Sequence, residues 1–327
     1  MNAVLDYLRP HPHRGDVIAA GVIPLALAAI SISLRMTQWS HGVRFVVTGL
    51  IAALILTMAS LAPLEGETPR PYHSMLLVSG LLVLIVALLQ LARALGGGSS
   101  FSGGSGVWTF GLESLAAGYA AWRWNSGICT LIAAVAFGIA FEALINWIFG
   151  PLGIGTFRAM IVVVSAAFAA GAIRLHDARR RHSVALVNAI GLATLFLALS
   201  LVASAFAALQ SAIAVASLDR ATSGVGFGWK LYTLAIGFGL VAYSGVDREP
   251  GPAYLGTGVL LLFAVSTAFP SLVGGPHVSL LGWPVFLLVL GAIGLAIGLR
   301  PRRPLPPAPA APQGGGATVP FRVDDEA

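Results

Sequence analysis

The sequence predicts an all-α fold, a polytopic transmembrane helical bundle with nine or ten spans. Three observations predict it. Apolar runs of about twenty residues recur from Val17 to Leu299, broken by short polar stretches, and about 20 residues at about 1.5 Å rise cross a hydrocarbon core of about 30 Å. The composition is 57% hydrophobic and 10% charged, with a mean hydropathy of +0.86, far from the roughly 25% charged content of soluble domains. The basic residues stand at the ends of the apolar runs, where they set topology and meet anionic headgroups.

Nine runs read directly as spans: Val17 to Leu34, Phe45 to Ala62, Met75 to Ala92, Ile128 to Phe149, Thr156 to Ile173, Ser183 to Ala205, Phe227 to Val246, Ala253 to Pro270 and Leu280 to Leu299. A tenth, Val107 to Trp122, carries Glu113 but is framed by Trp108, Trp122 and Trp124, as interfacial aromatics frame a span. We favour ten, because nine would leave this largely apolar segment in a water-exposed loop. Ser183 to Leu218 exceeds one span and predicts a tilted or protruding helix whose far end, near Gln210 to Ser217, packs outside the membrane core.

Residues 1–16 form a cytoplasmic leader, 17–300 one transmembrane domain, and 301–327 a Pro-, Gly- and Ala-rich cytoplasmic tail expected to be disordered. The Gly/Ser stretch Gly96 to Gly106 reads as a flexible, solvated loop. Arg9 and Arg14 precede the first run, but Ser31 to Met36 lacks a small-residue cleavage site, so that run is retained as a span. The single cysteine, Cys129, lies inside a span as a small apolar filler.

Orientation follows from arginine. The cluster Arg174, Arg179, Arg180 and Arg181 and the triplet Arg300, Arg302 and Arg303 both belong in the cytoplasm, with four spans between them. The turn Asp247 to Pro252 then lies inside, and Gly150 to Gly155 and Gly274 to His277 lie outside. For the amino-terminal half, the nine-span and ten-span arrangements place equal numbers of basic residues inside, so charge leaves the count open there.

Function has few handles. The net charge of +6 is dispersed over span ends instead of forming a stripe with interleaved aromatics, so nucleic acid is not an expected partner. The expected partners are the lipid bilayer and other membrane proteins. The seven histidines fall in predicted loops or tails without HExxH spacing, so no metal site is expected. No GxSxG elbow, Walker motif or strand-borne GxGxxG appears, and no cofactor or catalytic residue is expected.

What stands out is a candidate intramembrane polar site. Glu113 and Glu142 are the only carboxylates within spans, and an ionisable group near the bilayer centre costs about 2.5–3.5 kcal/mol on insertion scales. Asn146 lies one helical turn beyond Glu142, and Gly138 one turn before it. Arg158 and Lys230, the sole lysine, begin spans from the same outer side. These five residues predict either a substrate or proton site in the outer half, or structural pairs between helices with the two bases snorkelling to headgroups.

Glycines at helical spacing, such as Gly237 with Gly245 and Gly294 with Gly298, predict close helix packing within the monomer. The similar strings GPLGIGT at Gly150 and GPAYLGT at Gly251 would suit an inverted repeat of three spans, as in secondary transporters.

The stretch Gly226 to Gly256, GFGWKLYTLAIGFGLVAYSGVDREPGPAYLG, resembles segments of uncharacterised multipass integral membrane proteins of actinobacteria-like bacteria. The resemblance implies a bacterial inner-membrane address and brings no assigned activity. The expected function is that of a non-catalytic scaffold or subunit of an envelope complex. The alternative is a small-solute or proton-coupled transporter that uses Glu113 and Glu142.

Overall fold

The structure, a computed structural model, describes residues 15–63, 69–97, 103–151, 153–214 and 226–273. The predicted run at Leu280 to Leu299, the Arg300 to Arg303 triplet, the leader to residue 14 and the tail lie outside the described residues, as do Gly294 and Gly298. All regular structure among the described residues is helical.

Nine helices are described: α1 Gly15–Arg35, α2 His41–Leu61, α3 Pro71–Ala94, α4 Gly104–Trp124, α5 Gly127–Phe149, α6 Ile154–Leu175, α7 Arg180–Ala214, α8 Phe227–Asp247 and α9 Pro250–Val273. Five of them contain segments long and apolar enough to cross a membrane: His41–Leu61, Pro71–Ala94, Gly127–Phe149, Ile154–Leu175 and Arg180–Ser204. Ala20–Arg35 and Pro250–Ser266 are apolar but shorter. Helices α4 and α8, each of 21 residues, are diluted by glycines and by Glu113 and Lys230. A membrane-embedded helical protein is the coarse architecture, because an apolar environment leaves a helix to satisfy its own backbone.

Local chemistry sets the ends. Ser40 caps α2, its side chain accepting from the Val43 amide at 3.3 Å. Pro71 opens α3 at a position that needs no amide proton. Asn125 closes α4 in the left-handed region at φ 49°, which Asn tolerates better than most side chains. Gly104 to Gly106, expected in the loop, belong to the first turn of α4. The prediction of one over-long helix from Ser183 holds as the 35-residue α7. Residues 215–218 of that run are outside the described set.

Helices α2 and α3 pack as a hairpin, joined by α1, and α4 and α5 form a second hairpin that meets α3. Helix α7 is the hub of the rest, with α5, α6, α8 and α9 all packed on it. One core gathers Ile55, Leu76, Leu77 and Leu81 from α2 and α3 with Ala117, Ala120 and Ala121 of α4 and Cys129. A second lies among α5, α6 and α7, around Ala134, Val164, Phe168, Ala189 and Ile190. Buried alanines recur in both, as expected where van der Waals contact, not water exclusion, holds helices together.

Glycine allows the closest approach. A Cβ on Gly256 of α9 would stand 2.7 Å from the Gly237 carbonyl oxygen of α8, and one on Gly237 would stand 2.8 Å from Leu260. Gly237 therefore serves packing within the monomer, whereas Gly245 has no such neighbour within 4 Å.

Polar side chains tie helices together at both ends. Near the α1–α2 turn, Gln90 of α3 donates to the Ser33 hydroxyl and pairs with His41 at 2.9 Å, and the buried Arg44 donates to the carbonyl oxygens of Trp39 and Ser33. At the other end, His182 of α7 bridges Thr130 of α5 and Asn125. There Arg180 also binds the Asp247 carbonyl and, at 3.3 Å, its carboxylate.

Candidate intramembrane site

Of the five polar residues singled out in the sequence, Glu142 alone lines the cleft between α5, α6 and α7. Glu113 is 2% exposed and lies on the stripe of α4 that includes Thr109, Ala117, Ala120 and Ala121. The three alanines of that stripe enter the first core. Both carboxylate oxygens of Glu113 are buried without a hydrogen-bond partner among the described residues.

Glu142 stands elsewhere, on the wall of a cleft bounded by α5, α6 and α7. Helices α5 and α6 are neighbours in sequence but touch only lightly, each resting on α7. The gap they leave has a volume of about 330 Å³, at the small end of the range of ligand sites. Gly138 sits on the same wall, and a Cβ there would meet Val164 at 3.6 Å, so its missing side chain widens the gap. Phe141, Phe157, Phe168 and Phe196 line the rest with aliphatic residues, and Glu142 is the only ionisable residue of the lining among the described residues. Its side chain is half-buried.

Arg158 of α6 is 5% exposed and turns to α7. Its Nε donates to the Ser200 hydroxyl at 3.0 Å, and one terminal nitrogen donates to the Ser200 carbonyl at 3.0 Å and the Ser204 hydroxyl at 2.7 Å. A buried guanidinium is thus satisfied by neutral acceptors, which anchor α6 to α7. Asn146 is half-buried one turn along from Glu142, and Lys230 is half-buried in the first turn of α8. Neither they nor Arg158 and Glu113 line the cleft.

Among the buried polar groups that the sequence does not single out are His73, His182 and Gln90. His73 and His182, expected in loops, lie in the first turns of α3 and α7 and are 1% and 5% exposed. Those helices begin a turn earlier than the apolar runs do, and Pro71 was the signal for the first. His73 meets Trp124 edge-on at 5.9 Å between ring centroids. Gln90 lay inside an expected span and is 2% exposed; a lone amide in an apolar run asks for a partner across helices.

The sequence matches no protein-family model and no curated protein.

Proposed function

We propose that the chain is an integral protein of a bacterial inner membrane, crossing it ten times with both termini in the cytoplasm. It is a scaffold or subunit of an envelope complex, with no catalytic activity of its own. One observation carries this: polar side chains at helix contacts, several of them buried, fasten helix to helix instead of lining a common cavity. Gln90 with Ser33, His182 with Thr130 and Asn125, Arg158 with Ser200 and Ser204, and Arg180 with Asp247 all fasten neighbouring elements.

The orientation is supported by the gathering of Arg123, Arg179, Arg180, Arg181 and Arg248 at the end where the turns after α4, α6 and α8 meet. Purification in mild detergent through a carboxyl-terminal tag tests the role: a scaffold is recovered with a stoichiometric partner that also retains this chain when tagged itself. A lone monomer that moves a solute across liposomes refutes it.

A second reading, a transporter, is favoured by the Glu142 cleft. On that reading Glu142 alone of the sequence candidates faces the solute, because Glu113 lies on the stripe that enters the other core and Asn146 is not in the lining. Solute-driven proton movement lost in Glu142→Gln and kept in Glu113→Gln supports it, and the reverse pattern contradicts it.

A further inference from the structure

We propose that the cleft between α5, α6 and α7 is a binding site for a lipophilic organic cation, an ammonium group carrying apolar substituents. The site is built for that chemistry. Phe141, Phe157, Phe168 and Phe196 present four aromatic rings around a cavity of about 330 Å³, and Glu142 supplies its one ionisable group. Aromatic faces attract a cation through the ring quadrupole, and the attraction grows when the site is dry. A single carboxylate in the same wall supplies charge complementarity and finds no ion pair or hydrogen bond among the described residues.

Other ligand classes fit less well. An anion would meet Glu142 with no basic residue in the lining, because Arg158 turns to Ser200 and Ser204. A neutral hydrocarbon would leave the carboxylate unanswered in an apolar wall. The volume suits a small cation or one short chain better than a two-chain lipid. The half-buried walls and the 60% exposure of Phe196 give access from the flank of the bundle. This inference concerns binding alone and rests on neither functional reading above.

The test uses the full chain in nanodiscs of zwitterionic lipid, with empty nanodiscs as the blank. The probe is 4-phenylbutyltrimethylammonium, compared by equilibrium dialysis with its neutral isostere in which carbon replaces the quaternary nitrogen. The cation is expected to bind about tenfold or more tighter than the isostere, the scale on which one desolvated cation–π contact changes affinity. Glu142→Gln is expected to reduce that preference about tenfold without changing binding of the isostere, and Gly138→Leu to abolish binding of both by filling the cleft.

Equal binding of cation and isostere, cation binding unchanged in Glu142→Gln, or no binding above empty nanodiscs overturns the proposal. Should Gly138→Leu fail to fold, Glu142→Gln decides alone, with Glu113→Gln as the control expected to keep the wild-type preference.

Discussion

Arg158 and Ser200 meet twice across the α6–α7 interface, the guanidinium donating to both the hydroxyl and the carbonyl oxygen of the serine at 3.0 Å. The Ser200 hydroxyl in turn donates to the Leu197 carbonyl at 2.7 Å, so it is fixed before Arg158 reaches it. The guanidinium near the start of α6 is thus held by an interhelical clamp.

The clamp predicts a coupled stability effect. Removing both hydroxyls by Ser200→Ala with Ser204→Ala leaves the guanidinium under-satisfied and should cost about 1–3 kcal/mol. Adding Arg158→Leu should recover part of that loss, since the unsatisfied group is then gone. Unfolding in mixed micelles measures the cycle. Additive losses would mean that Arg158 draws nothing from the serines.

Close packing of α8 on α9 predicts a contrast between two glycines. Gly256→Ala places a Cβ 2.7 Å from the Gly237 carbonyl oxygen, which no rotamer can relieve, and should cost about 1–3 kcal/mol. Gly245→Ala has no such neighbour within 4 Å and should be neutral or slightly stabilising. Thermal aggregation midpoints of the two variants check this, and equal midpoints would refute it.

Glu113 makes a prediction of opposite sign. Its buried carboxylate oxygens have no partner among the described residues, and such a group is costly in an apolar interior. Glu113→Met keeps the length and shape of the side chain and should raise stability by about 1 kcal/mol or more. A marked loss would instead assign the carboxyl an essential contact.

Much of the architecture was legible because apolar length is a strong signal. The apolar runs from Phe45, Met75, Ile128 and Thr156 begin within about a turn of α2, α3, α5 and α6, and Glu113 stands out in the sequence as a carboxylate inside an apolar run. The helix starts were missed where polar residues such as His73 and His182 open the first turn: hydropathy reads them as loop, and burial against neighbouring helices reverses that. The separation of Glu113 from Glu142 was also out of reach. Depth along a helix can be counted in sequence, but which face meets which neighbour depends on rotation about the axis, set here by alanine stripes packing across helices. The cleft arose from a similar cause, since two helices adjacent in sequence chose α7 over each other.

The central claim, that α4 crosses the membrane and makes the tenth span, is tested most directly by labelling intact cells with an impermeant maleimide. The protein would carry Ser102→Cys in a Cys129→Ala background. Ten spans put residue 102 outside, so it should label at once, while Arg302→Cys should label only after permeabilisation. A Ser102→Cys protein that stays unlabelled until the membrane is opened would leave nine spans and contradict the account.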